Sequence, residues 1–456
     1  MLRCISPIDG SVYAERPVAT AEEAGAAVTR SRAAQRDWAA RPLVKRVELV
    51  QAGVAALGAM GDETVTELAH MMGRPVRYGG EFGGVEERAN YMAGIAEDAL
   101  APIVAETGEA FDRRIERVSH GVVFVIAPWN YPYLTAINTV APALIAGNAV
   151  VLKHATQTLL AGERMVRAFV SAGVPEEVFQ TLFLDHATTE KLIETKTFDF
   201  INFTGSVGAG RRIERAAAGT FTPLGLELGG KDPGYVMDDA DLGAAAATLI
   251  DGAMFNSGQC CCGIERIYVA APLFDAFLER AIAEVNGLSL GNPLDPDTTL
   301  GPMANARIAE VVRSQTEAAI LSGATAHIPR APADDGGCYL SPQILTAVDH
   351  SMPVMRDETF GPVVGIMAVQ DDAEAIRLMN DSAYGLTASL WTSDADRAAR
   401  IGAEIATGTV FMNRCDYLDP ALCWTGCKET GRGGSLSVIG YHNLTRPKSY
   451  HLKKAL

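Results

Sequence analysis

Short apolar runs alternate with helix-length stretches through most of this chain, and that rhythm restricts its fold more than any other feature. Residues 121–127 (GVVFVIA) are apolar throughout, as a strand covered on both faces must be, and 148–153 (NAVVLK) reads as a second strand. A helix-length stretch, 133–145, separates them. The pattern recurs, with a helix over 159–171 before a strand at 178–183 and a short helix before a strand at 199–204. Strands separated by helices predict a parallel α/β sheet. From Thr20 to about Leu100 the chain is helical and Ala-rich, with Thr20 as N-cap and Glu22 and Glu23 suited to a first turn. These helices are expected to cover one face of the sheet.

After Gly230 the rhythm restarts, with strands at 265–269, 362–366 and 408–412 and a helix over 273–285. A chain of 456 residues exceeds what one core usually supports, so a second α/β domain is expected. The formal net charge of −16 argues against sequence-independent nucleic-acid binding, which needs clustered Lys and Arg. No apolar run approaches the roughly 20 residues of a membrane span, and the N-terminus carries no signal core. A protein of the cytoplasm, bound neither to nucleic acid nor to membrane, is the expectation. Eight cysteines show no even framework, so disulfides are not expected. Cys423 and Cys427 lie near Cys415, but no His cluster completes a zinc set and no metal site is expected.

Two segments carry chemistry. Residues 255–263 (FNSGQCCCG) offer thiols, and 226–231 (LELGGK) offers the carboxylate Glu227. A thiolate can capture a carbonyl carbon, and release of the acyl group from sulfur then needs an activated water. Residue chemistry alone does not choose among Cys260, Cys261 and Cys262, which read equally as small buried hydrophobes. Farther upstream, 205–210 (GSVGAG) forms a Gly-rich turn into a helix, which presents backbone N–H groups suited to a pyrophosphate.

The ordered motifs PWNYP (128–132), LKHA (152–155), FTGS (203–206), LELGGK, GQCCC, ETFGPV (358–363) and GCKETGRG (426–433) resemble those of the NAD(P)-dependent aldehyde dehydrogenase superfamily, of the non-acylating, hydrolytic type. The resemblance covers nearly the whole chain, and the interval of 34 positions from Glu227 to Cys261 is similar to that family's. It implies a Rossmann-type cofactor domain (1–101 and 121–229), an α/β catalytic domain (230–435) and a small β oligomerisation element (102–120 and 436–456). It selects Cys261, two positions after the Gln of the GQ pair, as nucleophile. It implies Glu227 as the base that activates water and Asn130 as the oxyanion donor beside the Cys261 backbone N–H.

For the cofactor, the resemblance assigns Gly205 and Ser206 to the pyrophosphate, Lys153 to the adenosine ribose and Glu358 to the nicotinamide ribose. It sets Phe360 beside the nicotinamide ring and Trp129 near the cofactor, where a core Trp is an equal reading. Many NAD-preferring relatives carry Glu where this chain has Thr156, so a carboxylate that would repel a 2′-phosphate is missing. Lys153 and His154 are nearby cations or donors. NAD is the expected cofactor, and NADP is compatible.

The implied reaction is oxidation of a small-molecule aldehyde to a carboxylic acid through a thiohemiacetal and a thioester on Cys261. A CoA-acylating enzyme is the alternative, against which Glu227 counts; a cofactor-binding protein without turnover is another, against which both Cys261 and Glu227 count. Residues 413–424 align with a substrate-entrance loop. Its carboxylates and aromatics suit a cationic aminoaldehyde or form a solvated acidic loop, a small or medium aliphatic or aromatic aldehyde fits as well, and Arg414 suits a semialdehyde acid. The loop departs from the family pattern at 423–426 (CWTG). Residues 111–118 and 449–453 occupy the family's subunit-bridging positions, which implies a homodimer or homotetramer.

Overall fold

The computed structural model describes residues 1–454; Ala455 and Leu456, at the end of the expected oligomerisation element, lie outside the described residues. Thr20 caps the helix Ala21–Ala40 as read from the sequence: its hydroxyl accepts from the Glu23 N–H at 3.2 Å, and the Glu23 carboxylate accepts from the Thr20 N–H at 2.8 Å. Helices Leu43–Gly58, Gly61–Met72 and Phe82–Leu100 follow. Ahead of them lies a hairpin, Leu2–Ile5 with Val12–Arg16, that the apolar pattern did not reveal.

The first sheet has six strands in the order Gly431–Arg432, Leu224–Glu227, Phe200–Thr204, Val122–Ala127, Ala149–His154 and Phe179–Thr181. All neighbours are parallel except the first pair. The expectation that Val122–Ala127 is covered on both faces holds. Val123 and Val125 enter the core formed with helices Phe82–Leu100 and Pro132–Ile145, while Val122, Phe124 and Ile126 enter the opposite core. The strand expected at 178–183 is only Phe179–Thr181, because it lies at the sheet edge and pairs on one side.

The second sheet orders Thr325–Ala326, Gln343–Thr346, Val363–Val369, Ile264–Ala270, Asp232–Val236, Thr387–Trp391 and Thr409–Met412, with only the first pair antiparallel. Its two faces are covered by separate cores, Ile267 and Val269 on one and Tyr268 on the other. The chain then returns to the first sheet. Trp424, Leu436, Tyr441 and Leu444 join the first core, and the Tyr441 hydroxyl donates to the Met92 carbonyl at 2.7 Å. Finally Thr445–Lys453 pairs along all of Phe111–Ser119, which also pairs with Ile103–Thr107. This small sheet exposes Ile103 and Val104. Among the described residues no helix is long and apolar enough to cross a membrane.

Pro128, Asn130, Ala155, Gly205 and Leu228 follow the carboxyl ends of four parallel strands of the first sheet, where α/β proteins open their ligand clefts. Behind that edge Phe169 packs edge-on to Phe179 at 5.2 Å between centroids and against Gly53. Phe169→Ala is expected to cost about 3–5 kcal/mol, read as a lowered urea midpoint.

Candidate active site

Two cavities meet at the carboxyl edge of the first sheet. The larger, of about 550 Å³, is lined by Trp129, Asn130, Lys153, Gly205, Ser206, Glu227, Cys261, Glu358 and Phe360 among others. The smaller, of about 180 Å³, is lined by Arg88, Tyr131, Leu134, Phe255, Leu418 and Trp424 together with all three consecutive cysteines and Asp416. Thr135, Thr204, Glu227, Leu228 and Cys261 belong to both. The structure thus brings nine of the ten residues singled out from the sequence to one cleft. Thr156 is the exception: it begins a short 3-10 turn beyond Lys153 and does not line the cleft.

The cysteine loop is held in an uncommon backbone. Asn256, Ser257 and Gly258 have φ of 54°, 55° and 68°, the left-handed region that non-Gly residues seldom adopt. Neighbours hold this turn. Ser257 Oγ donates to the Gly301 carbonyl at 2.8 Å, and Gln259 Oε1 accepts from the Ala304 N–H at 2.8 Å. A Cβ on Gly258 would stand 2.2 Å from the Gly361 carbonyl oxygen, so only glycine lets the loop seat there. Asn130 donates through Nδ2 to the Gln259 carbonyl at 3.1 Å, which ties it to the same loop.

The three Sγ atoms lie within 4.8 Å of one another. Cys260 and Cys262 approach to 3.6 Å, and both donate to Asp416 Oδ1, at 3.1 and 2.9 Å. Coupling among the three sulfurs lowers the Cys261 pKa and raises those of Cys260 and Cys262. Of the three, Cys261 is the one that lines both cavities and is not bonded to Asp416. Burial raises Asp416 well above the usual carboxylate range. Asp416 is half-buried and lines the smaller cavity, whereas Asp419 of the same loop is exposed. Arg414, by contrast, stacks over the Tyr417 ring at 3.9 Å and lines neither cavity.

Glu227 ends its strand, accepts from Thr204 Oγ1 at 3.4 Å, and is raised by burial. Glu358, half-buried, accepts from the Gly230 N–H at 3.2 Å, and desolvation followed by the Glu265 charge pushes it up to about 8. Lys153 Nζ has one protein partner, the His154 carbonyl at 3.3 Å, and burial lowers it to about 8. His154 faces away from the cleft, against Gly162 and Thr181, and burial with the Lys153 charge pushes it down to about 3. The expectation of His154 as a second cation is corrected: strand alternation sends adjacent side chains to opposite faces. His186 and Arg307 line the cleft instead.

Residues 1–450 match the Aldehyde dehydrogenase family. The chain belongs to that family. It is 31% identical to the succinate semialdehyde dehydrogenase [NAD(P)+] of Escherichia coli (strain K12), covering 96% of this chain and 95% of that one. It is 33% identical to the vanillin dehydrogenase of Corynebacterium glutamicum, covering 94% and 89%. Among solved structures, an indole-3-acetaldehyde dehydrogenase with NAD+ superposes with a TM-score of 0.94 at 30% identity, covering 99% of this chain and 93% of the other.

Three supports in this aldehyde dehydrogenase escaped the sequence reading. Lys231 and Glu265 form a buried ion pair at 2.5 Å, and Glu265 accepts from the Thr359 and Phe360 N–H groups at 2.8 Å each. The pair thus holds the loop that carries Glu358 and Phe360, whose ring meets Trp129 edge-on at 5.5 Å. Arg74, paired with Glu81 at 2.6 Å, donates to the Asn130 carbonyl at 2.5 Å. Arg88 shares the buried helix face of Val85, Ala89 and Met92, and a charge within that apolar stripe was the available signal. Lys231→Met is expected to lower unfolding free energy by about 3–5 kcal/mol, and the double variant Lys231→Met/Glu265→Leu to recover most of it, measured by denaturant titration.

Proposed function

We propose that this protein oxidises an aldehyde to a carboxylic acid with NAD(P)+, using Cys261 as nucleophile and Glu227 as the base for the hydrolytic water. The observation that carries this reading is that Cys261 and Glu227 line both cavities, one suited to a dinucleotide and the other to a small substrate. Two under-partnered groups in the cleft, buried Lys153 and half-buried Glu358, support the cofactor fit. Lys153 has one weak carbonyl contact and Glu358 one N–H contact, which leaves capacity for ribose hydroxyls. Ser206 caps the helix Val207–Ala217, whose first N–H groups suit a pyrophosphate beside Gly205. Trp129 and Phe360 supply the apolar wall for the nicotinamide ring. NAD is the expected cofactor. NADP is compatible because Thr156 offers no carboxylate against a 2′-phosphate.

When bound, the nicotinamide cofactor supplies the hydride acceptor. Cys261, as thiolate, attacks the aldehyde carbon, and the Asn130 amide and the Cys261 N–H hold the oxygen that becomes negative. Loss of the hydride leaves a thioester on Cys261. Glu227 then takes a proton from the water that releases the acid. Its placement at the junction of both cavities favours water over CoA as acceptor.

The division into a cofactor domain (1–101 and 121–229), a thiol domain (230–435) and a subunit-bridging element (102–120 and 436–456) is part of this reading. Exposed Ile103 and Val104 on the small sheet support its use as the joint of a homodimer or of paired dimers. Eight free cysteines accord with the reducing cytoplasm.

Cofactor reduction with aldehydes and no CoA is the test. Cys261→Ala is expected to abolish turnover. Glu227→Gln is expected to lower kcat by about 10²–10⁴ while keeping a burst of one reduced cofactor per site, because acylation precedes the water step. Because burial raises Glu227, kcat is expected to fall as pH drops through a value above the ordinary carboxylate range, and Glu227→Gln to lose that limb. Undiminished turnover in Cys261→Ala, or turnover only with CoA, would overturn the assignment.

A further inference from the structure

Arg88 carries a buried charge that feels Cys262, Glu81, Glu87 and Cys261 but bonds to none of them among the described residues. It is 7% exposed, lines the smaller cavity beside Cys261 and Glu227, and forms no ion pair among the described residues. Its hydrogen bonds leave from one nitrogen, Nη1, to the Leu134 carbonyl and to Asn138 Oδ1, both at 3.2 Å. Nε and Nη2 have no partner among the described residues. These two N–H groups form the edge of the guanidinium that matches a carboxylate in a two-point contact.

We infer that Arg88 is the anchor of a carboxylate-binding site, and that the preferred substrate is a short-chain aldehyde bearing a carboxylate at its far end. The inference rests on the aldehyde oxidation proposed above and names its substrate class. A guanidinium stays charged at any working pH, and no cysteine or carboxylate among the described residues accepts from Arg88, so its free edge is open to a ligand anion.

The neighbouring acids are occupied elsewhere. Glu81 pairs with Arg74 and also accepts from the Leu134 N–H at 2.6 Å, and Glu87 accepts from the Tyr417 hydroxyl at 2.5 Å. Glu227 bonds Thr204 and is the proposed base. Asp416 is taken up by the Cys260 and Cys262 thiols, from both of which its Oδ1 accepts.

The rest of the wall suits a short methylene chain, since Tyr131, Leu134, Phe255, Leu418 and Trp424 present mainly apolar surface. At about 180 Å³ against about 550 Å³ for the larger cavity, the smaller one suits a short chain between the two ends.

The test has two independent arms. Calorimetric titration of the full-length, cofactor-free protein with succinate, a dicarboxylate with no aldehyde, reads the site without turnover. Binding is expected in the wild type, at least ~tenfold weaker in Arg88→Gln, and intermediate in Arg88→Lys, which keeps the charge but loses the fork. Thermal melts establish that the variants fold. Absent wild-type binding, or equal binding in wild type and both variants, overturns the inference.

In turnover, the wild type is expected to prefer succinic semialdehyde over butanal, which has the same chain length. The ratio of their kcat/KM values is expected to fall at least ~tenfold in Arg88→Gln, mainly through KM. A wild type that favours butanal overturns the carboxylate site and leaves aldehyde oxidation standing. Failure to oxidise any aldehyde overturns the catalytic reading, while the succinate titration still decides the site.

Discussion

The buried pair between Lys231 and Glu265 is the constraint on which the geometry of the cleft depends. Lys231 opens the second sheet directly after the strand that ends in Glu227, and Glu265 lies on the neighbouring strand Ile264–Ala270. Their contact at 2.5 Å is fully enclosed, so solvent cannot screen it. Lys231 Nζ also donates to Thr359 Oγ1 at 2.8 Å, and Glu265 takes two backbone N–H groups from the same loop. One ion pair thereby sets the distance between the strand bearing the proposed base and the loop bearing the proposed ribose and ring contacts. Such a pair adds little net stability, but its members are committed once buried, and that commitment favours a single loop geometry.

Around this junction, charge is distributed to match the proposed chemistry. Carboxyl groups facing the cavities, Glu227, Asp416 and Glu358, are all raised by burial, whereas the thiol between them is lowered by its two neighbours. A site that must hold an anionic sulfur and later activate water gains from carboxyl groups that resist ionising until needed. Arg88 adds a fixed positive charge on the wall of the smaller cavity, in a protein whose formal net charge is −16. Local charge at the wall, and not the overall field, would then select the substrate.

Most of the architecture was legible from the chain. Apolar runs such as 121–127 can persist only where both faces are covered, so the central strands, and the helices between them, followed from pattern alone. Edge elements were less legible. The strand at 178–183 shrank to Phe179–Thr181 because pairing on one side ends sooner than the apolar pattern does, and the hairpin Leu2–Ile5 with Val12–Arg16 has no alternation to betray it. Thr20 and Glu23 were readable because capping is local. His154 was misread because adjacency in sequence to Lys153 suggested adjacency in space, while a strand separates neighbours to opposite faces.

By itself the sequence determined the two-sheet α/β plan and the family, and its motifs named Cys261 and Glu227 as the proposed thiol and base, since periodicity and ordered motifs are properties of the linear chain. Only the tertiary structure decided that Cys261 and Glu227 sit where two cavities meet, that Asp416 bonds the flanking thiols, and that Arg88 makes no ion pair among the described residues. Arg88 and Glu227 come from distant elements, a helix and a strand joined through different layers of the core. Whether a charge is paired depends on which such elements pack together and how much water they exclude. That is a property of three-dimensional packing and leaves no mark in residue spacing.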